Sequence, residues 1–289
     1  MYFKFWGTRG SIPVPGSNTL KYGGNTPCIE LRSNENELLI FDAGTGIRDL
    51  GKSLVDEKYN QKIRIFLSHY HWDHIQGLPF FQPLYQKNTE IIFLGESKHE
   101  KSIEDILSGQ MNRHYFPMDL KDVASKISFE NIESNKNYNI GNLEILTLSA
   151  NHSSSTLAFK IIANNKSIVY MPDNELSPGN FSEDNIREII KLENEEFINF
   201  CNETDFLIHD SFYDESALKL KKGWGHSDNN TLAYFSLFSK VKNLILFHYN
   251  PEYNDNKIEE IANYINNIFS IEKSKINCIA AFEGLRIQF

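Results

Sequence analysis

The sequence predicts an α/β protein: a four-layer αβ/βα sandwich of two mixed sheets packed face to face, with helices outside both. Two observations predict it. The first half of the chain is dominated by strand-like runs, whereas the second half alternates strand and helix. No Pro-, Gly- or Ser-rich linker divides the two halves, so a single domain over residues 1–289 is expected. That length is ample for a sizeable core.

The elements follow in order. Tyr2–Trp6 alternates apolar and polar residues and reads as a strand. The Gly/Pro/Ser/Asn-rich stretch Gly7–Pro27 is longer than most connections, which points to a functional loop. Cys28–Arg32 and Glu37–Phe41 form a predicted hairpin, Ile47–Val55 a short helix and Ile63–Leu67 a further strand. Strand Glu90–Leu94 and a helix over Glu100–Leu107 come next, then a rim or lid over Gln110–Lys126. Strands are expected at Ile127–Asn131, Leu143–Leu148, Thr156–Ile162 and Ser167–Met171. A helix over Ser182–Phe200 follows, with Ser182 as N-cap and Glu183 and Asp184 in its first turn. Strand Phe206–His209, helix Ser227–Lys240, strand Leu244–Phe247, helix Asn256–Ile271 and strand Ile276–Ala280 complete the pattern.

Bulk properties narrow the functional classes. The net charge is −9, so no general basic surface advertises nucleic-acid binding, although a local patch could suffice. The N-terminus lacks a signal peptide's apolar region, and no apolar run approaches membrane-spanning length. Cys28, Cys201 and Cys278 are odd in number and far apart, which fits a reducing cytoplasm better than a disulfide framework.

The chemistry concentrates in Ser68-His69-Tyr70-His71-Trp72-Asp73-His74, directly after the apolar run Lys62–Leu67. Neutral imidazole and carboxylate are first-row metal ligands. One helical or strand face cannot present all four groups. A loop leaving a strand can aim His69 and His71 at one point, and the tightening chain can aim Asp73 and His74 at a second. The pattern therefore suggests two metal ions, at the carboxyl end of a strand where α/β folds place their sites.

Further candidates lie downstream. His152, in a small-residue loop after a strand, suits a metal ligand or a solvent-exposed turn histidine. Asp173 follows strand Ser167–Met171 and could cap a helix or bind a metal. His248 ends strand Leu244–Phe247 and repeats the pattern of His69 and His152; three histidines just past apolar strands are hard to explain as independent core residues. His226 precedes a helix that Ser227 or Asp228 could cap, and is either a surface histidine or a catalytic one. Asp210, at the end of its strand, could orient it. Asp42 in FDAG is placed to hydrogen-bond a ligand imidazole. Arg9 and Ser11 are candidate phosphate contacts, with Ser153 a third substrate-binding candidate. His209 reads as a core histidine, and His99 and His114 as surface ones. No chemistry is assigned to Glu283-Gly284.

HYHWDH matches the HxHxDH motif of the metallo-β-lactamase superfamily, and FWGTRGSIPVPG, YGGNTPC, LLIFDAGTG, GWGHS and FHYNP resemble its phosphodiesterase branch. That branch includes the tRNA 3′-end endonuclease RNase Z and enzymes that open cyclic phosphodiesters. The resemblance runs nearly end to end and implies the αβ/βα sandwich. It implies two divalent ions, Zn²⁺ or alternatively Mn²⁺, one on His69, His71 and His152, the other on Asp73, His74 and His248, bridged by Asp173. Such a bridge sets ions about 3.5–4 Å apart. It further implies hydrolysis by metal-activated water, with His226 as general acid and Asp73 and Asp210 supporting catalysis. One departure is visible: relatives carry a Gly-rich segment ending in Gly-Tyr after the third histidine, where this chain has Ser153-Ser154-Ser155 and Ala158-Phe159.

The preferred substrate is a small phosphodiester, a cyclic nucleotide among the candidates. RNase Z-type processing is the alternative, but no long Gly/Pro-rich tRNA-gripping arm and no basic cluster are evident. A non-catalytic metal-bound sensor is the alternative of another class. Expected partners are the small diester and a second copy of the chain in a homodimer, rather than a membrane or nucleic acid. GxxxxGK[ST], GxGxxG and GxSxG are all missing, and the second motif position is His71, not the Glu of diiron oxidoreductase relatives.

Overall fold

The computed structural model describes residues 1–97, 101–177, 185–214 and 221–289. The chain divides into two compact units, Met1–Lys136 with Phe282–Phe289, and Asn137–Ala281. Each is built on one seven-stranded mixed sheet, so the α/β class with two mixed sheets is the observed one.

In the first unit the strands are β1 (Tyr2–Gly7), β2 (Cys28–Arg32), β3 (Leu38–Phe41), β4 (Ile63–Phe66), β5 (Glu90–Gly95), β6 (Lys126–Asn131) and β14 (Arg286–Gln288), in the order β14-β1-β2-β3-β4-β5-β6. The pairs from β14 to β3 are antiparallel, and β3 through β6 run parallel. Strand β3, LLIF, is buried at every position, as a central strand covered on both faces requires. Helix α1 (Ile47–Asp56) is the crossover between parallel β3 and β4. It buries Ile47, Leu50, Gly51 and Leu54, a stripe at helical spacing. That stripe shares a core with Leu38, Ile40, Ile63, Ile65, Ile91 and Phe93. A single turn, α2 (Trp72–Ile75), lies in the histidine motif, and α3 is Ile103–Gln110. Ser102 and Asp105 close a capping box on α3. The helix therefore starts later than expected; Glu100, like His99, lies outside the described residues.

The second unit holds β7 (Asn137–Ile140), β8 (Leu143–Ser149), β9 (Leu157–Ala163), β10 (Lys166–Met171), β11 (Phe206–Asp210), β12 (Asn243–Phe247) and β13 (Asn277–Ala280), ordered β13-β12-β11-β10-β9-β8-β7. Strands β7 to β10 pair antiparallel, and β10 to β13 run parallel. The carboxyl ends of β10, β11 and β12 therefore share one edge, and they carry Asp173, Asp210 and His248. Helices α4 (Ile186–Glu193), α5 (Glu195–Cys201), α6 (Asn229–Phe238) and α7 (Asp255–Ile271) accompany this sheet.

The helix expected over Ser182–Phe200 is two helices broken at Asn194. The buried Asn194 side chain donates to the carbonyls of Ile190 and Ser177 and accepts from Ser177 N. An Asn that bonds backbone in this way competes with the helical ladder. Ser182, Glu183 and Asp184 lie outside the described residues. Asp228, not Ser227, caps α6, accepting from Asn230 N and Thr231 N. Cys28, Cys201 and Cys278 are buried and unpaired. Among the described residues no helix is long and apolar enough to cross a membrane.

Ile65 lies fully buried in β4, two residues before the motif loop begins to turn away, whereas Ile12 is 56% exposed. Ile65→Ala should cost about 2–5 kcal/mol in urea unfolding, and Ile12→Ala about 0.5 kcal/mol or less. Equal losses would show that the β4 core does not support the loop as described.

Candidate functional site

In the first unit the chain leaves β4, bends at Ser68, is extended at His71 (φ −62°, ψ 150°) and closes at once into the turn α2. The change of backbone puts His69 and His71 on one stretch and Asp73 and His74 on the next. The rings of His69 and His71 lie 4.5 Å apart, and those of His69 and His74 4.2 Å apart. His74 Nε2 lies 3.3 Å from Asp73 Oδ2.

Asp42 sets this loop. It is fully buried just past β3 and left-handed (φ 61°). Its Oδ1 accepts from Ser68 N at 2.8 Å, and its Oδ2 from Ser68 Oγ at 2.9 Å and His74 Nδ1 at 2.8 Å. Ser68 Oγ lies 3.1 Å from His69 Nδ1. Both imidazoles are thus held through Nδ1, which makes Nε2 the nitrogen presented to a ligand.

The long loop after β1 is tied to the same place. Ser11, exposed and left-handed (φ 65°), donates its N–H to Asp73 Oδ2 at 2.7 Å. Arg9 is fully buried, with Nε donating to the Gly23 carbonyl at 2.8 Å, so it is neither solvated nor at the surface. Glu283 packs against Gly23 (φ +95°), where a Cβ would lie 2.3 Å from its Cδ. Its carboxylate accepts from Asn25 N at 2.6 Å and Asn25 Nδ2 at 3.0 Å. That gives Glu283-Gly284 a structural role: it pins the loop. In the Gln110–Lys126 segment, Arg113 pairs with Asp119 and Asp122. Phe116 stands edge-on to Phe80 at 5.8 Å, and His114 is exposed.

In the second unit His152, Asp173 and His226 each bring a ligand atom within 4.8 Å of the others. His248, left-handed (φ 52°) at the end of β12, has Nδ1 3.2 Å from Asp173 Oδ1. His152 donates Nδ1–H to the Gly225 carbonyl at 2.9 Å. Burial pushes the pKa of His152 below its ordinary value, which favours the neutral, ligating form. His226 Nδ1 lies 3.0 Å from Asp210 Oδ2 and 3.4 Å from Asp173 Oδ1. Burial pushes the Asp210 carboxyl up, but the His209 and His226 imidazoles beside it more than reverse this and hold it below the ordinary carboxylate value. His209 is a fully buried histidine satisfied by Asp210 and Asn174. Ser153 is exposed on the His152 loop. Beside His152 a cavity of about 340 Å³ is lined by Asn151, Glu175, Ser177 and Lys222.

Three contributors escaped sequence reasoning. Phe212 stacks on His226 at 4.2 Å and 12°. Asn174 accepts from Asn151 N and from Ser227 Oγ through its side chain and carbonyl respectively. Glu175 accepts from the N–H groups of Gly223 and Gly225. Adjacency to Asp173 and Asp210 was the available signal, but neither Phe, Asn nor Glu has a spacing that announces such work.

The donor set fits divalent transition-metal ions: neutral imidazoles and carboxylates, with no thiolate, held from behind by carboxylate and carbonyl acceptors. Asp42→Asn tests one such support. An amide would turn N–H toward His74 Nδ1 and favour the tautomer protonated at the ligating nitrogen. The Zn²⁺ dissociation constant, read by chelator competition, should rise about 10–100-fold with the circular dichroism spectrum retained. An unchanged constant would show that the Asp42–His74 pair orients no ligand.

Residues 21–266 match the family model described as anti-Pycsar protein Apyc1. The ribonuclease Z of Picrophilus torridus is 26% identical over 292 residues, covering 87% of this chain and 86% of that protein. The metallo-β-lactamase-fold protein YhfI from Bacillus subtilis superposes with a TM-score of 0.68 at 16% identity, over 99% of each chain. Unliganded yeast PDE1 gives a TM-score of 0.68 at 13% identity, over 100% of this chain and 99% of that one. These likenesses carry the fold, and the family match over most of the chain carries membership: the protein is a metallo-β-lactamase-fold hydrolase that belongs to the anti-Pycsar protein Apyc1 family.

Proposed function

We propose that the protein is a metal-dependent phosphodiesterase acting on small phosphodiesters, cyclic nucleotides among them. His69, His71, Asp73, His74, His152, Asp173 and His248 are the proposed ligands of two divalent ions, Zn²⁺ by preference and Mn²⁺ as the alternative. When bound, such ions polarise a phosphoryl oxygen and lower the pKa of the attacking water.

The observation that carries the reading is the His226–Asp210 pair. Asp210 is fully buried and holds His226 Nδ1 at 3.0 Å, so the proton that His226 passes on is the one on Nε2. The carboxylate also stabilises the imidazolium that must form before the proton is delivered. Phe212 stacks on one face of the ring and Tyr213 stands edge-on at 5.8 Å, which leaves the imidazole little freedom to turn. Ser227 N donates to the same Asp210 oxygen at 3.2 Å, so the residue after the acid is anchored too. A positioned histidine of this kind protonates a departing alkoxide.

Relatives named ribonuclease Z favour a second reading, RNA 3′-end processing. The net charge of −9 weighs against it, since tRNA affinity needs several Lys/Arg phosphate contacts. Cyclic nucleotides and bis-p-nitrophenyl phosphate should be cleaved faster than precursor tRNA, by protein reconstituted with Zn²⁺ or Mn²⁺ after stripping. Site-specific removal of a tRNA 3′ trailer at the higher rate would reverse the assignment, and full activity in metal-free protein would end the metal-dependent reading.

His226 also lies within ligand distance of His152 and Asp173, so its role needs a test that separates acid from ligand. His226→Ala should retain its metal and lose about 10²–10⁴-fold in rate on alkyl diesters. With a p-nitrophenolate leaving group, which departs without a proton, the loss should be much smaller. Loss of metal would make His226 a ligand; equal loss on both substrates would make it a binding or orienting group.

A further inference from the structure

We propose that Glu175 is a positioning residue that locks the Gly223-Trp224-Gly225 turn and thereby fixes His152 and His226 together; this rests on the reading of His152 as a metal ligand and His226 as the proton donor. Gly223 and Gly225 are both left-handed, at φ 87° and 85°. Successive N–H groups in such a turn form a concavity that suits an anion. Here the anion is built in. Glu175 accepts from Gly223 N at 2.8 and 2.9 Å through its two oxygens and from Gly225 N at 2.8 Å. A turn with two glycines has much backbone freedom to lose, and charge-assisted bonds from a carboxylate are what restrict it.

The turn passes its position on in two directions. The Gly225 carbonyl accepts from His152 Nδ1 at 2.9 Å, and a Cβ on Gly225 would lie 2.0 Å from that nitrogen. Backbone and imidazole are therefore in direct contact, and a displaced turn displaces the ring. The next residue is His226 itself. Glu175 is also anchored to the other neighbour of His152, since its N–H donates to the Asn151 carbonyl at 2.7 Å and its carbonyl accepts from Asn151 Nδ2 at 3.3 Å. One residue thus joins the loop after β10 and the loop of His152 through its backbone to the turn of His226 through its side chain.

Glu175→Gln tests this with three readouts, each taken well below the variant's melting temperature. The amide sets an N–H against the turn's own donors. In the metal-free protein, amide hydrogen exchange at Gly223 and Gly225 should accelerate. The Zn²⁺ dissociation constant, by chelator competition, should rise about 10–100-fold. The rate should fall more on alkyl diesters than on p-nitrophenyl ones. Glu175→Asp keeps the charge but is one methylene too short for both N–H groups, so its shifts should be intermediate; it serves if the glutamine variant does not fold. Unchanged exchange overturns the clamp. Faster exchange, or a lower melting temperature, with unchanged Zn²⁺ affinity and unchanged leaving-group dependence makes Glu175 merely structural and overturns the proposal. If the parent cleaves no diester while exchange and affinity still respond, the clamp on His152 stands and the diesterase reading falls.

Discussion

A buried carboxylate, Asp42, is the constraint around which the histidine motif is arranged. An ionised acid at zero exposure is costly unless its oxygens are satisfied. Asp42 is satisfied only if Ser68 brings its N–H and hydroxyl and His74 its Nδ1 to the same two oxygens. Those groups reach it only if β3 and β4 pair in their parallel register, Phe41 against Phe66, with Asp42 N bonded to the Phe66 carbonyl. Sheet register, loop conformation and imidazole orientation are therefore one problem with one solution. The second unit repeats the device: Asp210, at the end of β11, gathers His226 Nδ1 and Ser227 N.

Much of this was legible in the sequence because it rests on local pattern. Apolar runs such as LLIF and LILF are buried strands, and each histidine or aspartate directly after one of them sits at a carboxyl end. The break at Asn194 was not legible, because a helix-interior Asn becomes a helix break only when a partner such as Ser177 brings its own backbone within reach. Strands β7 and β14 were missed for another reason: NYNI and RIQ have little apolar content and lie at sheet edges, where pairing and not burial defines the strand. Glu175 was invisible because its work is done on backbone N–H groups forty-eight and fifty residues away, and no side-chain pattern records such a partner.

The buried carboxylates beside the candidate histidines also bear on stability. Asp73 in the first unit, and Asp173 and Asp210 in the second, are 6%, 1% and 0% exposed, and burying a carboxylate opposes folding unless it is compensated. Imidazoles stand against them in each unit: His74 Nε2 beside Asp73, and His226 and His248 beside Asp173. Neutral imidazoles offset such charge only in part. A cation that binds the folded chain and not the unfolded one adds to stability by mass action, so the proposed metal load and the folded state are coupled through the same carboxylates.

The distribution of acids also explains how an acidic chain can suit an anionic substrate. Ser11, Asp42 and His248 adopt left-handed backbone, and Gly223 and Gly225 do so in the turn before His226. Such residues are tolerated where the surroundings over-determine them. In four loops, some of them holding these residues, a carboxylate accepts backbone N–H groups: Asp73 takes Ser11 N, Glu283 takes Asn25 N, Glu175 takes the two glycine N–H groups, and Asp42 takes Ser68 N. Each of these acids spends its charge on fixed donors inside its own unit. They stiffen the loops that carry the chemistry, and the charge they contribute to the formal total of −9 is already partly answered before any phosphate arrives. Net charge therefore argues about long-range steering of a polyanion, while acceptance of the proposed small diester would rest on the imidazoles and on what holds them.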